Sequence, residues 1–360
     1  MKIWLDFCEP KSITMLRPLY EELIKEHDVF ITARDFDSTL FLLKKWGIPF
    51  HNAGSYGGGT LVGKLRSYTE RLNDLLDVVE KEEPDFLFCI TSPEAIRVAF
   101  GLQIPNIMFN DEPRSYGCSA LTLPFVNKVI VPKPIPIEWY LDYGIKEEKI
   151  IQFHGIDEVA WLNQNVFHPD PKILTQFGLE EGKYVVCRTE PTKAVYLIDK
   201  MEPHETLLTQ ILPEAISISK DKLTYVIITR NEEQYAYLNT HFEDHIKNGI
   251  IQVHRGMDNL AAIMYFSKMV LTGGGTMVRE SALLGVPSIE FFPLQTYPQE
   301  QFLIDNGFPL KHTKTVPETI KVFKQFLSYK RTNTFERIGG LENPLKIGLK
   351  EFKKMKSGLK

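Results

Sequence analysis

The sequence is poor in cysteine, with four in 360 residues, at Cys8, Cys89, Cys118 and Cys187 and no C-x-x-C pair. That spacing excludes a disulfide framework and a zinc-ribbon site, and it fits thiols kept reduced in the cytoplasm. Neither charge dominates: Lys+Arg 42 stands against Asp+Glu 46, a net −4, which leaves no electrostatic footprint for nucleic acid. No window holds the ~18 consecutive apolar residues of a membrane span. The opening Met1–Pro10 (MKIWLDFCEP) meets Asp6 after only three apolar residues, so a signal peptide is not expected. Gly54–Gly59 (GSYGGG), with Lys64 and Arg66 beyond it, lacks P-loop spacing and reads as a flexible loop. The first strand–helix turn lacks G-x-G-x-x-G, which argues against a dinucleotide-dependent dehydrogenase. What is present, 43% hydrophobic and 24% charged residues, is ordinary for a globular chain long enough for two domains.

Short apolar runs alternate with helical patterns through both halves. Strands are expected at Lys2–Phe7, Asp28–Ala33, Phe86–Ile90, Asn106–Asn110 and Lys128–Val131, with helices at Met15–Lys25, Ser38–Trp46 and Gly63–Lys81. The pattern restarts at Lys183–Arg188 and continues through Thr224–Thr229, Ile250–His254, Met269–Thr272 and Pro287–Phe291. Such alternation predicts an α/β fold of two Rossmann-like, doubly wound parallel-sheet domains with a cleft between them. The Pro/Asp/His stretch Phe167–Pro171 marks the boundary, giving domains over residues 1–170 and 171–360. Pro344–Lys360 holds six lysines and one glutamate, with Leu345, Leu349, Phe352, Met355 and Leu359 at helical spacing. It reads as a terminal helix with solvated lysines, or as a weak contact for an anionic membrane surface.

The chemistry concentrates in Val270–Ile289 (VLTGGGTMVRESALLGVPSI). A strand runs into three glycines and then a helix near Thr276, so N–H groups and the positive dipole end can meet a phosphate. Glu280, one turn further on the same face, suits a ribose diol; a packing turn with a solvated glutamate is the plainer alternative. The string G-G-G-T-x-x-x-E-S-x-x-x-G-x-P resembles the nucleotide-sugar segment of the GT-B superfamily. That superfamily includes UDP-N-acetylglucosamine 2-epimerases and the N-acetylglucosaminyltransferase that makes lipid II. The resemblance implies that Gly273, Gly274, Gly275 and Thr276 contact a diphosphate and that Glu280 holds the ribose. Gln295–Gln301 (QTYPQEQ) looks like the superfamily's post-strand loop, making Gln299 and Glu300 ligand contacts or solvated loop residues.

Arg188 and Glu190 end the first strand of the second half, where an arginine fork can clamp phosphate or simply pair with its neighbouring glutamate. The epimerases carry a His-Arg-Arg-Glu run at a similar place; here Cys187 precedes Arg188 and the run has no histidine. In the first half, Ile107–Ser115 (IMFNDEPRS) puts Asp111, Glu112 and Arg114 beyond a strand end as general-base or sugar-recognition candidates, or as a turn cluster. The whole chain resembles the archaeal and bacterial family called DUF354, which shows the same Asp-centred run. Glu9 follows the first strand as a further carboxylate. Ser92 and Pro93 suit a helix N-cap and N1. His154, in the run His154–Glu158 (HGIDE), is a base or a hinge residue.

These features together imply a metal-independent glycosyltransferase that takes a nucleotide-diphospho-sugar, a UDP-sugar by resemblance, in the interdomain cleft. Asp111 or Glu112, with Glu9 and His154 as further candidates, would deprotonate the acceptor. No cofactor is expected. A UDP-N-acetylglucosamine 2-epimerase-like enzyme and a non-catalytic nucleotide-sugar binding protein are the alternatives.

Overall fold

The computed structural model describes residues 1–190, 204, 206–220, 222–293 and 295–358. The chain forms two compact units, Met1–Trp161 with Leu341–Lys360, and Leu162–Gly340.

The first unit holds β1 (Lys2–Phe7), α1 (Pro10–Leu23), β2 (Asp28–Asp35), α2 (Thr39–Lys45), β3 (His51–Ser55), α3 (Leu61–Glu82), β4 (Phe86–Ile90), α4 (Pro93–Gly101), β5 (Asn106–Phe109), α5 (Tyr116–Ala120), β6 (Lys128–Pro132), α6 (Glu138–Leu141) and β7 (Ile150–Phe153). Its seven strands are all parallel, in the order β3-β2-β1-β4-β5-β6-β7. The central strands bury both faces, so they read as unbroken apolar runs such as FLFCI. Trp4, Leu87, Cys89 and Met108 fill one face with Leu75 and Val79 of α3. α3 starts where Thr60 accepts a hydrogen bond from the Gly63 N–H and stops where Glu83 turns left-handed.

The second unit holds β8 (Tyr184–Arg188), α7 (Leu207–Ser219), β9 (Thr224–Ile228), α8 (Glu232–His241), α9 (Glu243–Lys247), β10 (Ile251–His254), α10 (Leu260–Phe266), β11 (Met269–Thr272), α11 (Gly275–Leu283), β12 (Ser288–Phe291), α12 (Pro298–Asp305), β13 (Leu310–Thr313), α13 (Val316–Leu327) and α14 (Phe335–Gly339). Its six-stranded parallel sheet runs β10-β9-β8-β11-β12-β13. The strand order of each sheet therefore reverses once, between β1 and β4 or between β8 and β11. Such switch points are where ligands bind beyond the strand ends.

The chain then returns to the first unit through α15 (Pro344–Gly358). The units thus part ahead of Phe167–Pro171, and α15 joins the first of them, unlike the continuous 171–360 domain read from sequence. Packing decides it: the Phe352 ring lies 4.8 Å from Phe86 and 5.5 Å from Phe88. Gly348 sits so close to Phe109 that an added Cβ would come within 2.9 Å of its ring. An amphipathic stripe states that a face is buried but not on which sheet. Leu359, counted in that stripe, lies outside the described residues. Among the described residues no helix is long and apolar enough to cross a membrane.

Candidate functional site

At the switch point of the second sheet, Thr272 on β11 pairs in register with Arg188 on β8. The chain then extends through Gly273 and Gly274, and α11 opens at Gly275. The Gly274 N–H donates to Thr272 Oγ1 at 3.1 Å. Each glycine is there because an ionic side chain presses on it. A Cβ at Gly273 would strike Glu190, one at Gly274 would strike the Arg230 guanidinium, and one at Gly275 would come within 2.7 Å of Glu300 Oε1. The α11 first turn itself has no acidic residue, and the carboxyls beside it, Glu190 at Gly273 and Glu300 at Gly275, come from other elements.

Three arginines surround this turn. Arg230, just past β9, is exposed, and its Nε donates to the Thr189 carbonyl at 2.9 Å. Arg188 is half-buried, with Nη1 3.8 Å from Met277 Sδ. Arg279 is buried and gives Nη1 to Glu300 Oε1 at 2.8 Å. Thr276 is exposed and Glu280 partly so, one turn apart on α11. Glu190 is no surface partner of Arg188: it is buried, and its Oε1 accepts the Leu207 N–H at the start of α7 at 2.5 Å. Burial lifts its carboxyl to about 7, against the pull of that N–H. Gln299 and Glu300 form the first turn of α12, both buried, rather than a solvated loop. Burial raises the Glu300 carboxyl, Arg279 opposes the rise, and Glu290 adds to it. Behind it, Glu290 Oε2 meets His312 Nδ1 at 2.8 Å.

In the first unit the strand ends of β1 and β5 bring carboxylates together around one cation. Lys11 Nζ lies 2.6 Å from Asp111 Oδ2 and 3.0 Å from Asp157 Oδ2. Asp157 is buried on the 3-10 turn Asp157–Ala160, and burial raises its carboxyl; Lys11 opposes, while Asp111 and Glu158 reinforce. Glu9 caps α1, and burial raises its carboxyl too, with Lys11 opposing and Asp111 reinforcing. Glu112 is partly exposed beside Arg114, Nε to Oε1 3.3 Å, and the guanidinium also lies 4.9 Å over the Trp139 ring. Burial raises Glu112 as well, against Arg114. His154 stands on the exposed turn after β7, where its N–H and carbonyl pair with Glu342 at 2.5 and 2.9 Å. Its main chain anchors the returning C-terminal segment.

Beneath this rim, Arg71 of α3 gives Nη2 to both oxygens of Asp6 (2.7 and 3.0 Å) and Nη1 to Glu94 (2.9 Å) and Ser92 Oγ (3.2 Å). Ser92 does stand at the N-cap of α4 with Pro93 at N1, but its hydroxyl serves Arg71 instead of the helix N–H groups. Sequence reading singled out neither this network nor Lys11, Asp157, Arg230 or Arg279. The signals were an arginine on the buried stripe Ser67, Arg71, Leu75, Val79 and an aspartate inside the apolar strand KIWLDF.

Comparison with known proteins agrees with this architecture. The chain is 26% identical over 347 residues to the uncharacterized protein MJ0665 of Methanocaldococcus jannaschii, covering 95% of this chain and 94% of that protein. Its fold matches a UDP-GlcNAc 2-epimerase of the same organism, solved with UDP-GlcNAc and UDP, at TM-score 0.71 and 18% identity over 96% of each chain. It also matches Anabaena Alr3699/HepE, solved with UDP and glucose, at TM-score 0.62 and 13% identity over 99% of this chain and 100% of that one. The fold is accordingly the GT-B-like two-domain α/β fold. The model of the family DUF354, described as protein of unknown function, matches residues 1–353, and the chain belongs to that family.

Proposed function

We propose that this protein binds a nucleoside-diphosphate sugar, UDP-linked, at the Gly273–Thr276 turn and transfers the sugar to an acceptor hydroxyl. One observation carries the reading. The exposed Arg230 guanidinium lies against Gly274, directly before an α11 N-terminus whose first turn has no acidic residue. Arg230 and the helix N–H groups make a donor-rich site for a diphosphate at a topological switch point, and burial raises the Glu190 and Glu300 carboxyls beside it, which lessens their negative charge. Arg188 and the α11 N–H groups then offset the charge that develops on the departing diphosphate. Glu280 accepts hydrogen bonds from the ribose diol. Buried Glu300 sets the position of Arg279 and lies against Gly275, Glu190 holds the α7 end beside Gly273, and Arg114 orients Glu112.

In the first unit Glu112 is the preferred base. Burial raises its carboxyl toward working pH, which suits proton abstraction, whereas Asp111 is held by Lys11. Four thiols outside any disulfide suit a reducing cytoplasm, and the α15 lysines add a weak attraction to anionic surfaces. The second reading is epimerisation of the bound sugar. It is favoured by the gathering of Glu9, Asp111 and Asp157 around Lys11, with Glu9 and Asp157 raised by burial, since epimerisation needs an acid and a base.

Calorimetry with UDP-sugars tests the binding site: Glu280→Gln lowers affinity by roughly 1–3 kcal/mol, and unchanged affinity removes Glu280 from it. NMR of the products separates the reactions, because epimerisation alters the sugar without an acceptor.

A further inference from the structure

The first two turns of α3 carry the most exposed aliphatic side chains described: Leu61 is 85% exposed and Val62 and Leu65 65% each. The buried stripe of that helix starts only at Ser67, so these residues overhang the sheet. The loop before them is folded tightly onto the helix start: a Cβ at Gly57 would strike the Gly63 carbonyl, and one at Gly63 would strike the Gly57 carbonyl. The overhang is thus built into the backbone.

Neighbouring chain adds to the same corner. β2 and β3, at the sheet edge, pair Asp35 with Ser55 beyond a register shift after Ala33, so the loops that follow them emerge together. The Phe36 and Tyr56 rings lie 4.9 Å apart. Tyr56 and Phe41 are 52% and 55% exposed. From Ser38 to Thr69 there is no Asp or Glu, while Lys44, Lys45, Lys64 and Arg66 all fall inside that span of an overall acidic chain, which the exposed Asp37 and Glu70 bound.

We propose that this corner is a docking surface for an anionic lipid bilayer, with Leu61, Val62 and Leu65 entering the interface and Lys64 and Arg66 meeting lipid phosphates. Exposed leucines interleaved with cations are the chemistry of an interfacial helix. A second copy of the chain is the rival occupant, and the sedimentation arm below reads it. The α15 lysines offer charge alone, since none of that helix's large apolar side chains is exposed.

Flotation of the full chain with vesicles tests this, using phosphatidylcholine with and without phosphatidylglycerol. The chain floats only with the phosphatidylglycerol vesicles, and added salt releases it. Leu61→Ser with Leu65→Ser lowers the partition about tenfold, and Lys64→Gln with Arg66→Gln lowers it by a similar factor. Lys350→Gln with Lys354→Gln on α15 changes it less than about twofold. Val62→Trp gives a fluorophore whose emission shifts to the blue on vesicles, with no dependence on apolar deletion. All five positions outside α15 are exposed, and a melting curve for each variant checks its fold. The proposal is overturned if the parent chain does not float, if the serine variant floats equally well, or if sedimentation finds a dimer that the serine variant dissociates while vesicles capture nothing.

Discussion

Arg71 Nη2 lies 2.7 and 3.0 Å from the two carboxylate oxygens of Asp6, and neither side chain reaches solvent. The same guanidinium spans to Glu94 at 2.9 Å, and Gly54, at φ +77°, sits where a Cβ would come within 2.7 Å of the Arg71 stem. One buried cation thus ties α3, β1 and α4 together directly under the Glu9–Asp111 rim. Removing it leaves two buried carboxylates without their partner. Arg71→Met is expected to cost the first unit about 3–5 kcal/mol, read by urea denaturation. Adding Asp6→Asn to that variant should recover part of the loss, because the uncompensated charge is then gone. A single variant within about 1 kcal/mol of the parent would mean that water solvates the pair.

The glycine turn separates two kinds of close contact. At Gly274 a new Cβ meets the far end of the Arg230 side chain, which can swing away. Gly274→Ala should therefore leave the melting curve nearly unchanged while lowering nucleotide-sugar affinity by roughly 1.5–3 kcal/mol, the range for a charged hydrogen bond. At Gly273 the obstacle includes the Glu190 Cα at 3.0 Å, a backbone atom that cannot swing. Gly273→Ala should destabilise the second unit by about 1–3 kcal/mol as overpacking does. Calorimetry and melting on both variants check the contrast, and equal losses of stability would refute it.

Central strands were legible in the sequence because both faces are buried and the runs stay apolar: Lys2–Phe7, Phe86–Ile90 and Met269–Thr272 fall where expected. The strands that went unread, His51–Ser55, Ile150–Phe153 and Leu310–Thr313, all lie at sheet edges. An edge strand buries less, and His51–Ser55 buries only Ala53, so no apolar run announces it. The glycine turn was legible as a local string. Its arginines were not, because Arg230 reaches Gly274 from β9, forty-four positions earlier in the chain, and only the parallel sheet order brings them together. For the same reason Lys11 and Asp157 carry no joint signal until β1 and the turn after β7 are folded.

Glu190 gives the second unit a pH dependence of definite sign. Burial lifts its carboxyl to about 7, above the ~4.3 of a glutamate in the unfolded chain. Between those values the native state keeps a proton that the unfolded state has released. Stability from this group is therefore present in full below about pH 4, falls as pH rises toward 7, and levels off above it. The fall is on the order of 3 kcal/mol. Glu190→Gln has no proton to lose, so its stability should decline less between pH 4 and 8 than that of the parent. Denaturation at matched pH values reads the difference and cancels the similar contributions of Glu300 and Asp157. Parallel curves would show that Glu190 is ionised in the native state.

Glu112 and Asp111 are adjacent in sequence but differ in surroundings, and that difference predicts unequal variants. Asp111 faces Lys11 at 2.6 Å, whereas Glu112 has only the partly exposed Arg114 at 3.3 Å and is raised by burial. If Glu112 takes the acceptor proton, Glu112→Gln should lower kcat by ~10²–10⁴-fold while donor affinity stays put. The acid limb of the kcat/KM profile should then lie above the ordinary carboxylate value and disappear in the variant, provided residual turnover can be followed. Asp111→Asn should cost less and act through Lys11, which also holds Asp157 at 3.0 Å; Lys11→Met should reproduce its effect. Normal turnover in both carboxylate variants would take the pair out of the chemistry and move the base to Glu9 or Asp157, the two other carboxylates beside Lys11 that burial raises.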